Sequence, residues 1–464
     1  MKFIGREQEK AKLVRLLKRP GQNVALVFGR RRVGKSALIR ECLNDMGATD
    51  PNAVCIYYEC KQTTETNNVE SLAAIVAEAC GLPGVSFAGI EPLLEFLFAR
   101  SSDRKTVLVL DEYPYLRKSV VGLDSILQRL VDLHEHDAHL TLVLCGSFAD
   151  VMRSLLESAN PLYGRVDLTI ELKPMDYYDA ARFYPDFSCE DKVRLFSVFG
   201  GIPYYNRLVD STLSVRENVI ELVSAPDSRL ETEVEMYLRS EISKMENANE
   251  VFDALAQGNT KYGDILSRSH VSSGPAMVDV LDKLMRMELV QKRAPINCQN
   301  NKRRQSYRVV DGLSLFYYRY LFRYASQRSV MAPDAFYDRF IRDDFESSFV
   351  PRAFEEVCRQ YLVRKNRAGE IDPPFELIGT YYYDDPATHT NGEFDVVTKD
   401  ERGYAFYEAK FRREPVSQSV VEEEIRQVAA TRLPCYKYGF FSRSGFSAEP
   451  RQDVELIGIE ELYT

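Results

Sequence analysis

The densest chemistry in this chain lies in eight consecutive residues, Gly29-Arg30-Arg31-Arg32-Val33-Gly34-Lys35-Ser36. They follow the apolar run 24–28 and open a helix-forming stretch, 36–43. A buried strand that feeds a glycine-rich turn and then a helix leaves backbone N–H groups aimed at an anion. Gly29 and Gly34 permit a tight cradle. Lys35 can reach the β- and γ-phosphates of a nucleoside triphosphate, and the Ser36 hydroxyl can ligate Mg²⁺. Arg30, Arg31, Arg32, Val33 and Ala37 lie along the same backbone and complete the expected ATP-binding set, although loop arginines are often only solvated.

Hydrolysis calls for a second strand ending in carboxylates, and 106–110 is such a run, closed by Asp111-Glu112. Mg²⁺ keeps several waters, so Asp111 beside Ser36 suffices to hold it. Glu112 is then placed to polarise the attacking water as general base. A third apolar run, 140–145, ends in Gly146-Ser147. Ser147 reads either as a polar contact to the γ-phosphate or as an ordinary turn serine.

A second constellation lies near the C-terminus. Residues 392–397 and 404–410 read as adjacent strands joined by the turn 399–403. The period of two places Glu408 and Lys410 on one face, and Asp395 can lie beside Glu408 in the paired hairpin. Two carboxylates and a lysine suit metal-assisted phosphodiester hydrolysis. Asp395 and Glu408 would hold Mg²⁺ or Mn²⁺, while Lys410 would orient or deprotonate water and offset developing charge. The same residues on an exposed strand could equally be solvated charges.

Three segments resemble a known family. Residues 3–9, Phe-Ile-Gly-Arg-Glu-Gln-Glu, are similar to the Gly-Arg-Glu box that opens AAA+-related ATPases of the signal-transducing and origin-recognition type. The resemblance implies that Gly5 and Arg6 lie near the adenine. Segments 160–165 (Asn-Pro-Leu-Tyr-Gly-Arg) and 199–205 (Phe-Gly-Gly-Ile-Pro-Tyr-Tyr) are similar to two further boxes of the archaeal-type ATPases, a family that also occurs in bacteria. By that likeness Arg165 is the candidate arginine for charge on the transferred phosphoryl group, with a surface salt bridge as the alternative. The Asp395 and Glu408-x-Lys410 pattern resembles the PD-(D/E)xK nuclease superfamily. That resemblance implies an upstream helical glutamate as a further metal ligand, Glu355 by choice and Glu356 as the alternative. The helix 418–432 with Gln427, then the strand 436–441, would continue the superfamily's element order.

The elements that must position these groups follow from periodicity. Strand-like runs at 24–28, 53–58, 106–110, 140–145 and 167–172 alternate with helical patterns, which implies a parallel sheet with ligands at the carboxyl ends of its strands. Residues 250–256, 262–267 and 274–288 read as three helices, the last amphipathic through Met277, Val280, Leu281 and Leu284. A strand pair, 289–293 and 306–310, follows in the winged-helix order. Lys292, Arg293, Lys302, Arg303, Arg304 and Arg308 make that hairpin basic, with no acidic residue across 291–310. It would lie on DNA phosphates or, alternatively, pack against its neighbours. The aromatic-rich segment 311–320 reads as a core helix. The expected fold class is therefore α/β: a P-loop AAA+-like ATPase core at 1–175, a helical lid at 176–245, a winged-helix segment at 246–325 and a restriction-endonuclease-like α/β domain at 340–464.

Composition fits an ordinary globular chain of 464 residues, 45% hydrophobic and 28% charged. The net charge of −9 excludes a generally polyanion-binding protein, so any nucleic-acid contact must be local. No run of about 18 apolar residues offers a membrane span, and the N-terminus lacks the apolar core of a signal peptide. Nine cysteines, an odd count without C-x-x-C spacing, read as reduced thiols of a cytoplasmic protein. His134, His136 and His139 cluster in what reads as a surface connection. The expected partners are ATP, double-stranded DNA at the wing and further copies of the chain. The expected function is a Mg²⁺-dependent ATPase coupled to a metal-dependent nuclease-like domain. The alternative is an ATP-switched sensor or scaffold that binds partners without cleavage.

Overall fold

The structure, a computed structural model, describes residues 3–242, 247–271, 273–385, 390–431 and 434–464. The end of the expected lid (243–245) and the last residue of the expected helix 418–432 lie outside them. The chain divides into two compact units, Met1–Met175 and Asp176–Thr464.

In the first unit, β1 (Asn23–Phe28), β2 (Val54–Glu59), β3 (Thr106–Asp111), β4 (Leu140–Gly146) and β5 (Leu168–Glu171) form one sheet in the order β2-β3-β4-β1-β5. Every pair is parallel. β1, β3 and β4 are buried along their whole lengths, so both faces are covered and the strands read as continuous apolar runs. The period of two sorts their side chains into two cores. Leu26, Phe28, Leu108, Leu110, Leu142 and Leu144 pack with the helices Glu65–Cys80, Ile90–Arg100 and Leu123–Leu133. Val27, Val107, Val109, Val143 and Cys145 face the helices Glu7–Lys18 and Lys35–Thr49. Parallel pairing brings the carboxyl ends of β1, β3 and β4 to a common edge, where Gly29, Asp111 and Gly146 stand.

The second unit's largest core cluster runs from Tyr177 to Leu462, and two smaller clusters, around Phe394 and around Val421, lie at its C-terminal sheet. Helices Ala248–Ala256, Tyr262–Ser269 and Gly274–Arg286 precede an antiparallel pair, β6 (Val290–Arg293) and β7 (Ser306–Val309). The third helix buries Met277, Val280, Leu281 and Leu284, the stripe read from its period. In the aromatic segment Phe316, Tyr318 and Tyr320 are buried, and Tyr318 stacks on Phe252 at 4.4 Å. These rings belong to the core and not to a base-stacking surface.

The helix Val350–Arg367 then leads into β8 (Leu377–Asp385), β9 (Thr390–Asp400), β10 (Gly403–Lys410), β11 (Cys435–Ser442) and β12 (Val454–Gly458), ordered β12-β11-β10-β9-β8. β8, β9 and β10 pair antiparallel, whereas β10, β11 and β12 pair parallel. The parallel step from β10 to β11 needs a crossover, which the helix Gln418–Ala430 supplies. β8 and β12 were not read from the sequence. In β8 the run Tyr381-Tyr382-Tyr383 obscures any alternation.

Candidate functional site: a phosphate loop and a separate acidic cluster

The loop after β1 has the form its residues predict. Gly29 has φ 153°, and a Cβ there would lie 2.3 Å from the Leu172 carbonyl oxygen, so only glycine fits. Gly34, at φ 98°, starts the helix Lys35–Thr49 with no side-chain cap and no acidic residue in its first turn. The helices beginning after Thr64, Asp176, Ser188 and Ser214 all have their N-terminal N–H groups capped by those side chains. The donors that open Lys35–Thr49 are left for an anion. Lys35 is buried, and its Nζ donates to the carbonyls of Gly29 (2.9 Å) and Arg30 (3.0 Å). Burial pushes its pKa down. An ammonium held among carbonyls in a dry loop gains strongly from a phosphate.

Ser36 Oγ donates to Asp111 Oδ2 at 2.6 Å, which unites the two expected Mg²⁺ ligands. The Tyr57 hydroxyl donates to the same oxygen, and the Glu112 N–H donates to Oδ1 at 3.0 Å. Burial alone would raise the Asp111 pKa. Hydrogen bonds from Cys145, Ser36, Tyr57 and the Glu112 N–H outweigh it, and the net shift is downward. The side chain is thus kept as a carboxylate. Its pairing with a serine hydroxyl is the hard oxygen donor set that Mg²⁺ takes, so the residues fit the ion.

Glu112 has φ 53° and ψ 42°, a left-handed conformation that costs a non-glycine residue about 1–2 kcal/mol. Such strain is typical of functional positions. Ser147 Oγ lies 2.9 Å from both Glu112 carboxylate oxygens, and the Ser147 N–H donates to one of them at 3.3 Å. Adjacency of β3 and β4 brings the two together. Tyr57 was missed in the sequence; its place on β2, next to β3, is the signal that could have found it.

Arg6 serves the loop from behind. Its Nη2 donates to the carbonyls of Val33 (3.3 Å) and Lys173 (2.5 Å), and both Gly5 and Arg6 have positive φ. Arg31 lies over the Phe148 ring at 5.8 Å, beside Ser147. Arg165, by contrast, is not part of this site within one chain. It precedes β5 at the amino end of the sheet, where the neighbouring Asp167 N–H donates to the Val24 carbonyl. Its guanidinium is held by Asp132 at 2.6 and 2.8 Å. A six-residue strand separates that end from the loop by roughly 20 Å, so within one chain Arg165 makes the alternative contact, a salt bridge to Asp132.

The C-terminal cluster is a separate matter. Lys410 donates to Glu408 and, at 3.1 Å, to Glu424 Oε1, a partner that sequence reading missed. Asp395 is open to solvent. Its pKa is nonetheless pushed up to about 7, by crowding of surrounding protein and then by the Glu355 and Glu408 carboxylates. Burial also raises the Glu408 pKa, against the pull of Lys410. Glu355, Asp395 and Glu408 therefore lie within electrostatic reach of one another. Among the described residues no group of three or more His, Cys, Asp or Glu is arranged to hold a metal ion. Arg308 of β7 holds Glu355 at 2.9 Å and Lys410 holds Glu408, so the expected ligand set Asp395, Glu408 and Glu355 is not assembled. The alternative, Glu356, is tied to Arg293 (2.9 Å) and to Arg359.

Half of the basic hairpin is likewise turned inward. Arg293 and Arg308 face those glutamates, and Arg304 sits 3.7 Å from the Tyr382 ring centre and 3.8 Å from Asp384. Arg293, Arg304 and Arg308 thus pack inward, whereas Lys292, Lys302 and Arg303 remain exposed.

Comparison with known proteins agrees with the first unit. Residues 3–208 match an ATPase domain predominantly from Archaea, and residues 317–428 match a domain of Archaea bacterial proteins of unknown function. An uncharacterized protein of Methanocaldococcus jannaschii is 24% identical over 416 residues, 88% of each chain. An uncharacterized ATP-binding protein of the same organism is 23% identical over 273 residues, 48% of this chain and 73% of that one. A Walker-type ATPase of Pyrococcus abyssi superposes with a TM-score of 0.50 at 19% identity, covering 68% of this chain and 96% of that structure. Among the described residues no helix is long and apolar enough to cross a membrane. The chain thus joins an N-terminal ATPase domain of the kind predominant in Archaea to a C-terminal domain shared with Archaea bacterial proteins of unknown function.

Proposed function

We propose that this protein is a Mg²⁺-dependent ATP hydrolase whose turnover controls a nuclease-like, nucleic-acid-associated C-terminal domain. The observation that carries the first half is the junction of Ser36, Asp111, Glu112 and Ser147 beside an uncapped helix start. The N–H groups from Gly34 onward and Lys35 would bind and orient the phosphates. When bound, Mg²⁺ would supply charge neutralisation, held by Ser36 and Asp111. Glu112, fixed by Ser147, would accept the proton of the attacking water. Lys35→Ala should abolish tight ATP binding. Glu112→Gln should bind ATP and fail to hydrolyse it, and hydrolysis by Glu112→Gln at the wild-type rate would remove Glu112 from the role.

For the second half, support comes from the order of elements. A helix bearing Glu355 precedes three antiparallel strands carrying Asp395 and Glu408-x-Lys410, then a crossover helix and parallel strands. A second reading, an ATP-switched scaffold without cleavage, is favoured by the pairing of Arg308 with Glu355 and by the unassembled metal set. Labelled DNA and RNA incubated with wild-type protein and Asp395→Asn, with Mn²⁺ and with or without ATP, separate the two. Cleavage lost in Asp395→Asn supports the nuclease, whereas no cleavage of any substrate by the wild type leaves the scaffold.

A further inference from the structure

One stripe of the helix Val350–Arg367 carries Arg352, Glu355, Glu356 and Arg359, spaced i, i+3, i+4 and i+7 and so on a single face. The hairpin β6–β7 lays two more guanidiniums on it. Arg308 pairs with Glu355 and Arg293 with Glu356, each at 2.9 Å, while Glu356 also takes Arg359. Four guanidiniums thus meet two carboxylates, and the one left over is Arg352. Among the described residues it has no ion pair, and its Nη2 is buried with no hydrogen-bond partner.

Burying a cation without an anion is strongly unfavourable, and native structures rarely leave a buried guanidinium nitrogen unsatisfied. Burial, with Arg308, Arg319 and Arg293 as cationic neighbours, pulls the Arg352 pKa down to about 9; only Glu355 among its main neighbours opposes this. Arg319 offers no relief, being itself held by Asp344 at 2.6 and 2.7 Å. The arrangement has more guanidiniums than carboxylates, and the Arg352 Nη2 donor is left without a partner. It is not sealed, because the Arg308 and Glu355 side chains are 23% and 24% exposed.

We propose that Arg352 and Arg308, on the helix Val350–Arg367 and the hairpin β6–β7, form a binding site for the oxyanion of a phosphate ester. A guanidinium fork matches phosphate oxygens two at a time. Arg308 can turn from Glu355 to the ligand, so a bound phosphate would draw on one arginine from each element. Glu355 interacts electrostatically with both Arg352 and Asp395, which sets this site on the border of the acidic cluster. The inference rests on the nuclease-like reading only for the identity of the ligand as a nucleic-acid phosphodiester. The anion site itself stands without cleavage.

The test uses the full chain in a Lys35→Ala background, which silences the ATP loop, with EDTA present. The probes are a fluorescein-labelled oligonucleotide and, separately, inorganic phosphate and a nucleoside monophosphate. Arg352→Met, a neutral side chain of similar length, should weaken oligonucleotide binding roughly tenfold or more, as for loss of a charge-assisted bond. It should also lower the salt slope by about 0.7–0.9, the value for one phosphate no longer neutralised. A second readout separates binding from structure. Arg352→Met should melt higher than the parent without ligand, because an unpaired buried charge is gone, and should lose the melting shift that phosphate gives the parent. A purely structural Arg352 would move the melt downward instead. Binding of the small phosphates but not the oligonucleotide would keep the site and assign it to a small phosphate ester. Equal affinity and equal salt slope in parent and Arg352→Met would overturn the proposal. Arg352-dependent binding with no cleavage under any condition would discard the nuclease and leave the phosphate site intact.

Discussion

Replacing Gly29 by alanine should separate the loop's backbone geometry from its side-chain chemistry. The added Cβ would lie 2.3 Å from the Leu172 carbonyl oxygen, whereas ordinary contact begins near 3.4 Å, so about an ångström of separation is required. That oxygen cannot retreat freely. Leu172 N donates to the Phe28 carbonyl at 2.7 Å, and β5 is paired to β1 through Phe28↔Glu171. Forcing a methyl into such a space costs about 1–3 kcal/mol, and loss of the terminal hydrogen bond adds about 1 kcal/mol. At roughly 2–4 °C per kcal/mol, the N-terminal unit should melt about 5–15 °C lower. The natural control is Gly21→Ala, whose Cβ meets nothing within 4 Å and which carries only left-handed strain, with φ 76°. Both variants should be measured by scanning calorimetry and by titration with a fluorescent ATP analogue. Gly21→Ala should bind the nucleotide normally, whereas Gly29→Ala should lose binding as the cradle spreads. If Gly29→Ala melted within about 2 °C of wild type and bound the nucleotide unchanged, the close approach to Leu172 would not govern the loop.

Other perturbations test other links. Glu112→Gln should lower kcat by about 10²–10⁴ with nucleotide affinity retained, read by phosphate release and equilibrium binding. Ser147→Ala, which frees the Glu112 carboxylate without removing it, should give a smaller loss in kcat at unchanged KM, and an effect equal to Glu112→Gln would give Ser147 a direct role. Tyr57→Phe removes a donor to the Asp111 carboxylate and should raise the Mg²⁺ concentration needed for half-maximal hydrolysis; an unaltered Mg²⁺ curve would count against its positioning role. Arg165→Ala should keep wild-type hydrolysis in dilute protein and change stability by about 1 kcal/mol or less, as for a surface pair, so a large loss of turnover there would return it to catalysis. Glu171 offers a pH test. Burial raises its pKa, but Lys173 and Arg153 outweigh that and hold it below the usual range, so its stabilisation is complete above about pH 4.3 and fades as pH falls through the lower folded value. Glu171→Gln should flatten that acid limb in pH-dependent unfolding.

The chain's order of residues determined what is local. The loop 29–36 works through consecutive backbone groups, so its glycines, its lysine and the helix behind it were legible without any long-range pairing. Asp111-Glu112 was legible for a related reason, since an apolar run ending in carboxylates in a parallel sheet puts them at the ligand edge whatever the strand order. The amphipathic stripe of Gly274–Arg286 also followed from its period. Only the tertiary structure decided which ends meet. The order β2-β3-β4-β1-β5 sets Ser147 on Glu112 and Tyr57 on Asp111, and it strands Arg165 at the opposite end of the sheet. Docking of β6–β7 turned Arg293 and Arg308 from a solvent-facing patch into half-buried partners of Glu356 and Glu355. A sequence records that a segment is basic, but side-chain charge has no direction until packing assigns it a face. That assignment depends on pairs of residues far apart in the chain, such as Arg308 and Glu355, which local periodicity cannot encode.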